Sequence, residues 1–133
     1  MIFSDKHKIG IEELDREHEA LFFSLKAVLL ASLCRTQGST HKNLEGQLNL
    51  LLKTVTNHFR NEEKIIEEMN LPDKEEHKKE HRRLEKEFEE ELSKTLVHKE
   101  HHELAEKLEN WLESHILDWD MKLKIKATDY TRN

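Results

Sequence analysis

Apolar residues recur along most of this chain at spacings of three and four, the period of an α-helix with one buried face. After a short N-terminal lead-in, Glu12 to Cys34 reads as a first helix. Leu14, Leu21, Phe22, Leu25, Val28 and Leu29 form its stripe, and His18 sits between the first two. Arg35 to Ser39, with Gly38, reads as a loop. Ser39 or Thr40 then caps a second helix reaching about Met69, with Leu44, Leu48, Leu51, Leu52, Val55, Phe59 and Ile66 inward. Asn70-Leu71-Pro72 breaks it. Asp73, with Glu76 three residues on, resembles a capping box opening a third helix whose inward positions are His77, His81, Leu84, Phe88 and Leu92. That helix ends between Leu96 and Lys99, where neither Gly nor Pro marks the boundary. A fourth runs to about Trp119 with Leu104, Leu108, Trp111, Leu112, His115 and Ile116 facing in. Short connections between amphipathic helices predict antiparallel neighbours, hence an all-α, up-down-up-down antiparallel four-helix bundle forming a single domain over residues 1–133. The segment Met121 to Lys126 alternates apolar residues with Lys and reads as a frayed helix end.

Composition narrows the function classes. Of 133 residues, 38% are charged and 35% hydrophobic, a balance that would suggest disorder if the apolar positions were not periodic. Three Gly, one Pro and 6% aromatics disfavour a β-rich fold. A formal net charge of −6 argues against general affinity for nucleic acid or anionic membranes. Cys34, the only cysteine, cannot form an intrachain disulfide, thiolate zinc site or iron–sulfur cluster within one chain, and reads as a small hydrophobe closing the first helix. With no signal-like apolar core near the start and no run long enough to span a bilayer, a soluble cytoplasmic protein is expected.

Histidine is the exceptional component, at ten residues. A buried polar side chain without a partner costs about 1–3 kcal/mol, yet all four predicted helices place His on the core stripe. His58 and Glu62 lie four apart on one helical face, as do His77 and His81; His115 follows on the fourth helix, with Asp120 five residues later. Five residues turn a straight helix by about 140°, so Asp120 must reach round or lie where the helix ends. A single core His is usually structural, and a single HxxxE or HxxxH pair usually belongs to a solvated face. Seven such groups sharing the inward side of four helices are better explained by metal, which supplies the partner each lacks. If each carboxylate bridges, the seven side chains offer nine bonds, more than one ion can use. A bridging hydroxide raises the total to eleven, one short of two octahedra. His98, His101 and His102 lie at the uncertain junction among Lys and Glu and read as a non-metal cluster, while His7 and His41 read as solvated surface.

At these residues the chain resembles the hemerythrin family, particularly its single-domain bacterial members, over roughly residues 9 to 120. The likeness is carried by Ile9-Gly10-Ile11 with Leu14-Asp15-Arg16-Glu17-His18, by His58-Phe59-Arg60-Asn61-Glu62-Glu63, by His77-Lys78-Lys79-Glu80-His81, and by Trp111-Leu112-Glu113-Ser114-His115-Ile116 with Asp120, in family order. The resemblance implies two non-haem iron ions bridged by Glu62, Asp120 and an oxo/hydroxo group. His77, His81 and His115 would complete the saturated iron, and His18 and His58 the one left open for dioxygen. It also implies an apolar pocket at Phe59, Trp111, Leu112 and Ile116. Phe3, Ile66 and Leu71 depart from the Trp, Met and aromatic residue frequent at their positions; none removes a donor.

The expected function is therefore reversible dioxygen binding by a non-enzymatic carrier, store or delivery protein, acting as a monomer. A sensor of dioxygen or nitric oxide working through a separate partner is the first alternative. A di-iron peroxidase or oxidase, or a di-zinc hydrolase on the same donors, is the second.

Overall fold

The structure, a computed structural model, describes residues 3–33, 39–98 and 101–126, with side chains placed for 3–30, 45–93 and 106–123. Four helices follow a 3-10 turn at Asp5–His7: α1 (Glu12–Leu33), α2 (Ser39–Met69), α3 (Lys74–His98) and α4 (His101–Asp118). A second 3-10 segment, Asp120–Lys126, follows α4. Helix α1 packs on α2 and α4, α2 on α3, and α3 on α4, closing the bundle. The expected roles of Cys34, His41, His98, His101 and His102, the side chains of Leu44 and Leu104, and the α3–α4 junction fall outside the described residues. No described helix is long and apolar enough to cross a membrane.

Local chemistry sets the helix ends. Gly10 has φ 93°, a conformation that glycine adopts without a Cβ penalty. It turns the lead-in so that Ile9 N and Gly10 N donate to the Asp15 carboxylate at 2.8 and 3.2 Å. Glu12, Glu13 and Asp15 in the first turn of α1 oppose its positive end. At the other side of the α2–α3 turn, Asn70 stands at φ 51°, where asparagine is among the best-tolerated non-glycine residues. At the start of α3, His77 N donates to Asp73 O at 3.0 Å, and Asp73 Oδ2 accepts from Lys122 Nζ at 2.9 Å.

Two apolar clusters fill the bundle. The larger contains Leu21, Leu25 and Val28 of α1, Leu51, Val55 and Phe59 of α2, Leu84 and Phe88 of α3, and Leu112 and Ile116 of α4. The smaller contains Ile9, Ile11, Leu14, Ile65, Ile66, Leu71 and Leu123. The chain runs from small cluster to large along α1, large to small along α2, and repeats that alternation along α3 and α4. This is the up-down-up-down topology expressed in side chains. Each helix passes between the clusters once, and the seven inward polar residues lie at those crossings.

Two sequence expectations are corrected. His7 is not surface: it is fully buried, its ring 5.0 Å from Phe22 and 5.8 Å from Phe3. Ser4 N donates to its Nδ1 at 3.1 Å, and Nε2 lies 3.1 Å from Glu113 Oε1. The lead-in folds back onto α4, a contact no local pattern announces. Nor is 121–126 a frayed helix end. It winds as a 3-10 helix, Leu123 is fully buried in the small cluster, and Lys122 lies 4.2 Å over the Trp119 ring.

Candidate metal centre

All seven inward residues predicted from sequence are buried and converge: His18 from α1, His58 and Glu62 from α2, His77 and His81 from α3, His115 from α4 and Asp120 from the C-terminal segment. The i,i+4 spacing on α2 and α3 places two donors per helix on the inward face. Asp120 gets there by a change of helix type. Trp119 N still donates to His115 O at 2.9 Å, as an α-helix requires, but from Asp120 onward the backbone tightens into the 3-10 segment. The carboxylate thereby joins a layer that a straight continuation of α4 would have turned away from.

The carboxylates divide their oxygens between two sets of imidazoles. Glu62 Oε1 lies 3.1 Å from His77 Nε2, 2.9 Å from His81 Nε2 and 3.9 Å from His115 Nε2. Its Oε2 lies 3.2 Å from His58 Nε2 and 3.5 Å from His18 Nε2. Asp120 Oδ1 approaches His77 and His115 at 3.0 and 3.1 Å, and Oδ2 approaches His18 at 3.0 Å. Two clusters of potential donor atoms result, one from Glu62, His77, His81, His115 and Asp120, the other from His18, His58, Glu62 and Asp120.

Several of these atoms are close without being hydrogen-bonded. His18 Nε2, His58 Nε2, His115 Nε2, Glu62 Oε2 and Asp120 Oδ2 are buried with no hydrogen-bond partner, although some sit within 3.0–3.5 Å of one another. The candidate donor atoms fall into two groups, the members of each lying within 4.8 Å of one another. Buried polar groups are otherwise almost always satisfied, so this donor set fits a cation or pair of cations better than a purely structural network.

The electrostatics agree. Burial alone would raise the Glu62 carboxyl, but His115, His18, His58 and His77 around it hold it well below the ordinary range. Asp120 is also lowered: burial and the Glu62 charge oppose this, and His115 and His18 outweigh them. Burial pushes the imidazoles down, yet Glu17 and Glu62 bring His58 up to about 9, and Asp120 and Glu62 bring His77 to about 9. His115 rises to about 10, chiefly through Asp120. Without metal, protons supply the positive charge that two buried carboxylates demand.

Outer partners orient the rings, and these the sequence did not single out. His58 Nδ1 lies 2.6 Å from Glu17 Oε1, and His81 Nδ1 lies 2.8 Å from Glu63 Oε2. A carboxylate on the far ring nitrogen fixes the tautomer and leaves Nε2 free to bind. Both glutamates adjoin a donor in sequence, Glu17 before His18 and Glu63 after Glu62, but each serves a histidine of a neighbouring helix. Position next to a donor was the available signal.

The expected pocket residues differ in placement. Phe59 is fully buried and stacked on His81, with centroids 3.9 Å apart and planes at 5°. Leu112 and Ile116 are buried beside it in the large cluster. Trp111 is only partly buried and packs on Phe88, centroids 5.9 Å apart, at the edge of a groove between α3 and α4.

Across residues 9–127 the chain matches the family model of the hemerythrin HHE cation binding domain. No curated protein matches the chain.

Proposed function

We propose, from the premise that this chain belongs to the hemerythrin HHE cation binding domain family, that its centre holds two iron ions and binds dioxygen reversibly without turnover. The observation that carries this reading is the division of Glu62 and Asp120 between a three-histidine and a two-histidine set. His77, His81 and His115 with one oxygen of each carboxylate make five donors for one ion. His18 and His58 with the other two oxygens would make four for its neighbour, and an oxo/hydroxo group shared between the ions would add one to each. The two-histidine position would be left one donor poorer, and a diatomic ligand would complete it.

Ferrous iron held by these residues would supply the two electrons that reversible dioxygen binding requires. The chain's own contribution is rigidity and dryness. Phe59, stacked on His81, and the buried Leu112 and Ile116 keep water from the donors, which slows irreversible oxidation. Glu17 and Glu63 hold protons on Nδ1 of His58 and His81, so that each ring offers Nε2 inward. Two carboxylates are fewer than ferritin-like oxidases supply, and fewer anions stabilise high-valent iron less, which favours binding over cleavage of dioxygen. The same reading has the protein working as a monomer, a point sedimentation checks.

The test is optical and analytical. Protein purified anaerobically should contain two irons per chain, develop a charge-transfer spectrum in air, and recover its first spectrum under vacuum. Steady consumption of a reductant would mark an oxidase, and zinc in place of iron would mark a hydrolytic centre; either overturns the proposal.

A further inference from the structure

The two outer glutamates are set in opposite electrostatic surroundings. Glu63, which takes the His81 Nδ1 proton side at 2.8 Å, also accepts from Arg60 Nη1 at 2.6 Å and from both Arg82 terminal nitrogens at 3.1 and 2.9 Å. The Arg82 contact is a two-point fork, the strongest common form of a carboxylate ion pair. Arg60 continues to Glu85, so two arginines and two glutamates close a neutral quartet across α2 and α3. Glu17, which holds His58 at 2.6 Å, has a neutral companion: Asn61 Nδ2 donates to it at 2.6 Å and to Glu13 at 3.0 Å. Among the described residues no lysine or arginine pairs with Glu17.

An imidazole whose Nδ1–H donates to an uncompensated carboxylate acquires imidazolate character and gives more electron density to the metal on Nε2. A carboxylate already neutralised by two guanidinium groups draws less on that proton. We propose that Glu17 and the Arg60–Glu63–Arg82 clamp grade the two metal positions, making His58 the stronger donor and the two-histidine position the more readily oxidised. The inference rests on the two-ion reading above. It assigns the first electron leaving the centre to the metal beside the open position, with Glu17 and Glu63 as positioning residues of opposite effect, and it makes Arg60 and Arg82 part of the centre although neither touches a donor.

The test begins with zinc as the probe, because it is diamagnetic and needs neither iron nor dioxygen. In the zinc-loaded protein the His58 Nδ1–H proton should resonate at lower field than that of His81. Glu17→Gln should move the His58 proton to higher field. Arg60→Gln with Arg82→Gln should move the His81 proton to lower field, and the ordinary unfolding profile of that surface variant guards against simple loss of fold. In the iron-loaded protein, half-oxidised samples should hold ferric iron at the two-histidine position in about tenfold preference, equivalent to 59 mV for a one-electron couple. Glu17→Gln should raise the first midpoint, that of the two-histidine position, and the arginine pair should lower the second, that of the position His81 serves. Shifts of opposite sign support the grading, since loosened packing would move both variants the same way. A His81 proton at or below the field of His58, or like-signed shifts in the two variants, overturns it. If the zinc results hold while dioxygen fails to bind reversibly, the grading stands and the oxygen-binding reading falls.

Discussion

Replacing Leu123 by Ala separates a docked C-terminal segment from a frayed one. Leu123 is fully buried among Ile9, Leu14, Ile65 and Ile66, three residues beyond Asp120. Core Leu→Ala substitutions cost about 2–5 kcal/mol, and a site near a chain end can collapse, which places this one near about 2–3 kcal/mol. At about 2.1 cal/mol/K per residue, 133 residues carry an unfolding entropy of about 0.28 kcal/mol/K. The melting temperature should therefore fall by about 7–11 °C. Circular dichroism reads this directly in the presence of chelator, so metal does not enter the comparison. A second effect follows from geometry. Leu123 packs in the small cluster and anchors the segment that carries Asp120, so metal content per chain should fall as well. Leu117→Ala serves as control: Leu117 is 39% exposed on α4 and its loss should cost at most about 0.5 kcal/mol. A Leu123→Ala protein melting within about 2 °C of its parent and retaining its metal would refute the reasoning, and with it the account of how Asp120 is positioned.

His77→Ala removes a ring within about 3 Å of both carboxylates and should abolish binding at the three-histidine set, which metal analysis after dialysis will show; two ions retained with an unchanged spectrum would contradict the assignment. Metal loading should release protons. With folded pKa values of about 9 for His58 and His77 and about 10 for His115, these rings are charged at pH 7.5 without metal and neutral with it. The rings should contribute about three of the protons released per chain in a weakly buffered solution, read with an indicator, and that share should shrink towards pH 10. Linkage gives the chelated protein the opposite trend to acid denaturation. Raised histidines contribute fully below their unfolded value of about 6.5 and lose that contribution as pH climbs through 9–10, so chelated protein should melt lower at pH 10 than at pH 7. Gly10→Ala, at φ 93°, should cost about 1–2 kcal/mol in denaturant titrations; a smaller loss would mean the turn relaxes without strain.

The helices and most of the centre were legible because both obey the same period. A histidine at i,i+4 on an otherwise apolar stripe breaks the binary pattern while keeping its phase, so His18, His58, Glu62, His77, His81 and His115 could be read from spacing. Asp120 does not keep the phase. It reaches the layer because α4 gives way to a 3-10 segment, so spacing alone makes it the weakest of the seven, and the family resemblance adds its bridging role. His7 and Leu123 were misread for a shared reason: their burial depends on partners far away in the chain, Glu113 for one and the Ile9 cluster for the other. Glu17 and Glu63 stand in the motifs, but their role is not legible there, because a charged residue on a helix flank looks like solvated surface until the neighbouring helix brings a ring nitrogen to it.

Severing the backbone after Asn70 would leave His18, His58 and Glu62 on one piece and His77, His81, His115 and Asp120 on the other. Neither piece holds a full ligand complement, since Glu62 belongs to the first and Asp120 to the second. Two separately made fragments would thus find in a divalent cation a reason to reunite, with the ion acting as the switch for reassembly.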